Sequence, residues 1–271
     1  MSGADGRPEI RVGCSGWVYP DWRRVVYPDG APQRTWFEHY QQRFDTVELN
    51  ATFYRLPTAE AVRSWASAAR PGFVYAFKMG AFGSHRKKLS DSESWLPKHL
   101  ERAQLLGDHL GPTLVQLPPR WRRNVARLDE FLATARRLAD RVPDAPPMMN
   151  RWAVEVRDPT WLHPEVFDTL RRHDAALCIH DMLPSHPFEL TSDWTYVRFH
   201  GPDAVEHAYQ GSYGRSRLRL WADRLAMVSD GGHDVYAYFN NDTAGHAVRD
   251  AETLRAMLAA PRNAAGPDAS A

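Results

Sequence analysis

Seven pairs of residues spaced two apart carry most of the chemistry available to this sequence. They are Glu48 and Asn50, Ala76 and Lys78, Leu114 and Gln116, Glu155 and Arg157, Cys178 and His180, Arg198 and His200, and Tyr238 and Asn240. Each pair closes a short apolar run, and in a β-strand residues two apart point to the same face. Gathered at one end of a closed sheet, Glu48 and Glu155 would suit a general acid and base, held at different pKa values by different cationic neighbours. Lys78, Arg157 and Arg198 would hold negative charge on a ligand, and a desolvated Lys78 could also serve as a Schiff-base nucleophile. The plainer alternative is structural: Glu155 with Arg157, or Glu48 with Arg198, would fill the barrel mouth as ion pairs without doing chemistry. His180 and His200 equally suit satisfied structural histidines, and Gln116 and Asn240 could bond to neighbouring backbone.

Aromatic residues crowd the same strand ends. Trp17, Tyr19 and Trp22 follow the first run, Phe53 and Tyr54 the second, and Trp161 the fifth. Core packing accounts for most of them. Beside carboxylates and amides they also suit a sugar ring or a nucleobase, which needs a flat apolar face with hydrogen bonds at its edge.

These residues have to be positioned by strands, and eight runs rich in Val, Ile, Leu and aromatics occur in order, at 10–14, 46–50, 73–78, 113–117, 152–156, 176–180, 196–200 and 235–240. Between them lie stretches of helical period. Trp36, Phe37, Tyr40 and Phe44 share one helical face, as do Val125, Leu128, Phe131, Leu132, Ala135 and Leu138, and again Leu218, Trp221, Leu225 and Val228. This alternation predicts an α/β fold, a single (β/α)8 TIM barrel over 10–260, with an N-terminal extension at 1–9 and a disordered tail at 261–271. Two connections are irregular. Residues 79–94 read as a long polar loop, and the sixth connection, 181–193, is too short and too Pro-broken for a helix. An open doubly wound sheet lacks support, since neither a GxGxxG turn nor a Walker loop follows the first run.

Composition narrows the function classes. With 271 residues, 43% hydrophobic and 25% charged, the chain has room for one large core. A net charge of +1 argues against wholesale nucleic-acid binding. Of the 34 basic residues only Lys78, Lys87, Lys88 and Lys98 are lysines, an Arg bias read as codon usage. Cys14 and Cys178 sit in apolar runs without CxxC spacing, so they are expected as reduced core residues, and no structural metal is expected. Neither a leader nor a membrane span is apparent, which makes the cytoplasm the expected location. Nothing in the sequence sets an oligomeric state.

Six motifs, GCSGWVYPDW from Gly13, FDTVELNATFYRLP from Phe44, GPTLVQLPP from Gly111, AVEVRDPTW from Ala153, SDWTYVRFHG from Ser192 and VYAYFNNDTAGHA from Val235, resemble the YecE-like proteins, the "domain of unknown function 72" barrels. The similarity spans about 12–258 and implies a TIM barrel. It carries over, as pattern positions, Glu48, Asn50, Lys78, Gln116, Glu155, Arg157, Arg198, His200 and Asn240 together with Ser15, Gly16, Trp17, Phe53, Tyr54, His85, Pro118, Trp161, Gly201, Tyr213, Asn241 and Asp242. It brings no reaction with it. Ser84 stands where Thr is commoner, and Asp250 where Asn is usual.

Three functional readings are open to these residues. The first is an enzyme, of hydrolase or lyase type, working by acid/base chemistry on a small anionic or phosphorylated, sugar-like or nucleoside-like ligand. Glu48, Glu155 and Lys78 would be catalytic, with Trp17, Tyr19, Asn50, Tyr54, His85, Gln116, Arg157, Arg198, His200, Tyr213, Asn240 and Asp242 binding the substrate without a cofactor. The second is a metal-dependent phosphodiesterase resembling the endonuclease IV barrels, drawing on His180, His200, Glu48, Glu155, Asp181 or Asp242 for a divalent metal. The third is a non-catalytic barrel that binds nucleic acid or a partner through the basic run His85, Arg86, Lys87 and Lys88. The segment 84–89 is expected to be a mobile lid or contact loop without apolar anchors. Three cations meeting two carboxylates leave one positive charge over, so an anion site is expected at the mouth.

Overall fold

The computed structural model describes residues 8–260. The expected tail at 261–271, and all but residues 8 and 9 of the N-terminal extension, lie outside the described residues. Eight parallel strands, β1 (Ile10–Cys14), β2 (Thr46–Leu49), β3 (Val74–Lys78), β4 (Leu110–Gln116), β5 (Trp152–Glu155), β6 (Ala176–His180), β7 (Trp194–Phe199) and β8 (Asp234–Phe239), close in sequence order into a barrel. Helices α1 (Trp36–Arg43), α2 (Ala59–Ala68), α3 (Ser92–Gln104), α4 (Val125–Ala139), α5 (Pro164–Arg172), α6 (Gly214–Asp230) and α7 (His246–Ala259) occupy every connection but the sixth, and the last of them follows β8. The chain is therefore a (β/α)8 barrel with a helix-free sixth connection, as the Pro-broken segment predicted.

Helices α1, α4 and α6 cover the sheet with the apolar stripes read from their sequences. Trp36, Phe37 and Tyr40 of α1 are buried, as are Leu128, Phe131, Leu132 and Ala135 of α4 and Leu218, Leu225 and Val228 of α6. Start signals are local. The Asn124 side chain accepts from the amide of Arg127 at 3.0 Å, and Pro164 opens α5, where its missing N–H costs nothing.

The β1–β2 seam depends on α1. Pairing there reaches only Cys14 with Val47, and the Tyr40 hydroxyl takes the place of ladder bonds, accepting from the Cys14 amide and donating to the Thr46 carbonyl, both at 2.9 Å. The approach is close enough to need a glycine, since a Cβ on Gly13 would stand 2.3 Å from the Thr46 carbonyl oxygen.

Two expectations change. Strand β4 begins at Leu110 rather than Thr113 because Pro112 is tolerated inside it: the register against β3 shifts between Tyr75 and Phe77, which relieves the ladder where the proline has no N–H. The stretch 79–94 is not a plain polar loop. It winds through a π-turn at Phe82–Arg86 and enters α3 at Ser92. Within it Ser84 is 0% and Leu89 1% exposed, and the Leu89 amide donates to the Gly83 carbonyl at 3.0 Å. The segment expected to lack apolar anchors thus has one in Leu89.

Candidate functional site

Side-chain alternation along the strands brings the expected polar residues into one network at the C-terminal end of the barrel. At its centre Arg198, fully buried on β7, donates through Nη2 to Glu48 Oε1 at 2.7 Å and through Nη1 to Glu155 Oε2 at 2.6 Å. Both carboxylates are also fully buried. Glu48 further accepts from the Ser15 hydroxyl at 2.8 Å and the Tyr196 hydroxyl at 2.7 Å, and Glu155 Oε1 takes Arg157 Nε. Burial by itself would raise the Glu155 pKa, but Arg157 and Arg198 hold it well below the usual carboxylate range. Burial likewise opposes the charge on Arg198, and Glu155 and Glu48 keep it protonated.

His200 sits above this pair in a tautomer set by its partners. Its Nε2 faces Arg157 Nη2 at 3.1 Å and Arg198 Nη1 at 3.0 Å, both obligate donors, so Nε2 accepts and Nδ1 carries the proton toward Asp181 Oδ1 at 3.0 Å. Burial and then Arg198 keep the ring neutral. Asp181 also receives the His200 amide and the Tyr213 hydroxyl, and burial lifts its pKa to about 6. Tyr213 therefore positions His200 through Asp181.

Lys78 has different surroundings. Its Nζ donates to Asn50 Oδ1 at 2.9 Å and rests 4.5 Å from the centre of the Phe53 ring. Burial first, then the neighbouring Arg198, lowers its pKa to about 7. His85, half-buried, sets its ring edge against Phe53 at 4.9 Å, and partial burial and then Lys78 lower its pKa. Gln116 reaches Arg198 Nη1 at 3.4 Å. Asn240, with its amide oriented to satisfy both polar atoms, accepts from Arg198 Nη2 at 3.2 Å and donates to Asp242 Oδ2 at 3.1 Å. The other Asp242 oxygen is buried without a hydrogen-bond partner, and burial pushes this carboxyl up to about 7.

Some expected residues take other places. Trp17 packs behind the barrel against Phe37 at 5.1 Å and Trp65 at 6.4 Å, because those helix side chains offer it an apolar wall that the polar mouth does not. Tyr19 lies over Trp22 at 4.7 Å and donates to the Ser15 carbonyl, tying down the loop after β1. Tyr54 stands at the rim, 81% exposed. His180 spends both ring nitrogens on backbone, Nε2 on the Val156 carbonyl at 2.7 Å and Nδ1 on the Met182 amide at 3.1 Å, which leaves none for a metal. Among the described residues no group of three or more His, Cys, Asp or Glu side chains is placed to hold a metal ion, so the divalent-metal reading has no donor set here. In the basic run, Lys87 pairs with Asp91 at 3.1 Å while Arg86 and Lys88 are exposed. Cys14 and Cys178 are free, buried thiols. Asp250, the departure from the family pattern, is a buried acceptor for the Ser212 hydroxyl, the Tyr213 amide and Asn241 Nδ2.

Sequence reasoning passed over Tyr196 and undervalued Phe53. Tyr196 shares the parity of Arg198 on β7, a signal that could have placed it in the lumen. The contact of Phe53 with Lys78 joins the turn after β2 to the end of β3 and left no such signal.

Among the described residues no helix is long and apolar enough to cross a membrane. The sequence profile of the family described as "Protein of unknown function DUF72" matches residues 11–271. The chain is 30% identical over 151 residues to the UPF0759 protein YecE of Escherichia coli (strain K12), a match covering 55% of this chain and 49% of YecE, so it spans about half the length of that relative. It is 25% identical to the UPF0759 protein YunF of Bacillus subtilis (strain 168), covering 92% of this chain and 94% of YunF. The crystal structure of a DUF72 family protein from Thermotoga maritima MSB8 superposes with a TM-score of 0.78 at 25% identity, over 92% of this chain and 99% of that one. A second DUF72 family structure, from Enterococcus faecalis V583, superposes with a TM-score of 0.75 at 18% identity, over 94% of this chain and 97% of that one, a likeness of fold. With its barrel, its strand-end motifs and a family match over nearly the whole length, the chain belongs to the DUF72 family.

Proposed function

We propose that the barrel mouth is an active site for a small anionic ligand, with Lys78 as the group that meets the anion and exchanges protons near neutrality. The observation that carries this reading is the pairing pattern. Arg198 and Arg157 already use Glu48 and Glu155, and among the described residues Lys78 has only the neutral Asn50 amide as its hydrogen-bonding partner. A buried ammonium without a carboxylate is unfavourable unless it loses its proton or gains an anion. The acid/base roles expected for Glu48 and Glu155 are harder to sustain, since every oxygen of the two already accepts a bond and proton exchange would break an ion pair. In this reading they balance the charge on Arg198 and Arg157, while Lys78 and the half-satisfied Asp242 are the groups poised near pH 7.

The experiment is a melting series of wild type and Lys78→Met with phosphate, sulfate and small phosphorylated metabolites at constant ionic strength. A bound anion stabilises the wild type by about 2.7 kcal/mol at a hundredfold excess over its dissociation constant. Lys78→Met should not respond. If no anion raises the wild-type melting temperature above a chloride control, or if the variant responds equally, the reading fails.

A further inference from the structure

Beside the mouth, between the turn Ala51–Phe53 and the π-turn Phe82–Arg86, lies a cavity of about 290 Å³. Phe53, Leu56, Met79, Phe82 and Trp95 make its walls largely apolar, and His99 of α3 joins them. Its size is near the lower end of small-molecule pockets, about 300 Å³, and well above the roughly 150 Å³ void that admits benzene. The wall is fixed rather than slack. The Trp95 indole donates to the Ser90 carbonyl at 2.9 Å and stacks on Phe131, and a Cβ on Gly83 would come within 2.5 Å of the Trp95 ring.

His99 supplies the second observation. It is 4% exposed, its Nε2 is buried without a hydrogen-bond partner, and Phe77 holds its ring edge-on at 5.0 Å. Burial lowers its pKa to about 4, so the imidazole is neutral. A buried polar nitrogen left unpaired is unfavourable, and its residue belongs to the cavity lining. Phe53 supplies the third, since the ring that lines this cavity also carries Lys78 Nζ. Among the described residues that line it, Arg55 and Lys98 are exposed cations and none is a carboxylate, a charge balance that favours an anionic substituent at the lip.

We propose that this cavity receives a flat, uncharged ring bearing one hydrogen-bonding atom for His99, and that the ligand of the mouth is an aromatic anion reaching from this cavity to Lys78. The anionic half rests on the function proposed above, and the ring half stands independently of it.

The test is calorimetric titration of the full chain with phenol, toluene, inorganic phosphate and phenyl phosphate at constant ionic strength. Phenol should saturate one site and toluene should bind several-fold more weakly. His99→Leu should erase that difference. Ala81→Leu, which fills the cavity from a wall position, should abolish phenol binding and leave phosphate binding unchanged. Phenyl phosphate should bind at least tenfold more tightly than either half. No saturable phenol binding, or equal binding by Ala81→Leu, overturns the ring site. Phenol binding without phosphate binding overturns the Lys78 reading alone. Phenyl phosphate no tighter than phenol overturns the link between the two.

Discussion

The Lys78 ammonium donates at 2.9 Å to the carbonyl oxygen of the Asn50 side chain, an amide at the end of the neighbouring strand where a carboxylate would have neutralised it. The other two cations of the lumen have carboxylates, and this inequality separates their expected mutational effects. Arg198→Met leaves Glu48 and Glu155 buried and short of their shared partner, and should lower the unfolding free energy by about 3–5 kcal/mol. Lys78→Met removes a charge that lacks a counterion and should be neutral or stabilising. Urea denaturation at pH 7 compares them, and an Arg198→Met chain no weaker than Lys78→Met would show that the shared guanidinium does not hold the mouth together.

The pH dependence of stability should carry the signature of Lys78. Its folded pKa of about 7 lies below the ordinary 10.5, so between those values the unfolded chain binds the proton more tightly. Stability then rises with pH across this window, by up to about 1.4 kcal/mol per unit for one proton. The cost is complete below pH 7 and gone above the unfolded value. Lys78→Met should flatten this rise, and identical profiles for variant and wild type would contradict the assignment.

Asp242 has the opposite sign. Its folded pKa of about 7 lies above the ordinary 3.8, so the folded chain binds the proton more tightly between those values. Its favourable contribution is complete below the unfolded value and is lost as pH rises through 7. Asp242→Asn should therefore match the wild type near pH 4 and exceed it near pH 8. Thermal melts at the two pH values decide, and a variant less stable at pH 8 would mean that the ionised carboxylate has a partner.

The segment after β3 should behave as an anchored turn. Leu89→Ala empties a fully buried site and should cost about 2–5 kcal/mol. Arg86→Ala, at an exposed position, should change stability by no more than about 0.5 kcal/mol. Equal, small effects at both positions would restore the free lid expected from the segment's polar composition.

Much of this protein is legible in its amino-acid sequence alone. Strand alternation is local, so the period of two along 46–50 and 196–200 places Glu48, Asn50, Arg198 and His200 on one face, and the helical stripes of α1, α4 and α6 name their buried residues. Pro184 and Pro187 remove a helix from the sixth connection for a reason contained in two residues. The strand-end motifs are enough for the family resemblance.

The sequence offers Glu155 with Arg157 and Glu48 with Arg198 as candidate ion pairs, and both form, but it could not decide that Arg198 serves both carboxylates and Lys78 neither. Eight strands with the right parity allow Glu48 or Glu155 to pair with Lys78, Arg157 or Arg198, and only closure and register bring Arg198 between both carboxylates and leave Lys78 facing an amide. Closure also turned Trp17 outward, since the apolar wall of Phe37, Trp65 and Tyr75 that receives it exists only once α1, α2 and β3 are packed. The cavity beside Phe53 has the same origin, because its walls come from two turns and α3, segments whose own sequences carry no sign of one another. Period and propensity act over a few residues and are readable from the chain itself, whereas ion pairing, burial and the pKa values they set depend on distances between strands, which the tertiary structure alone supplies.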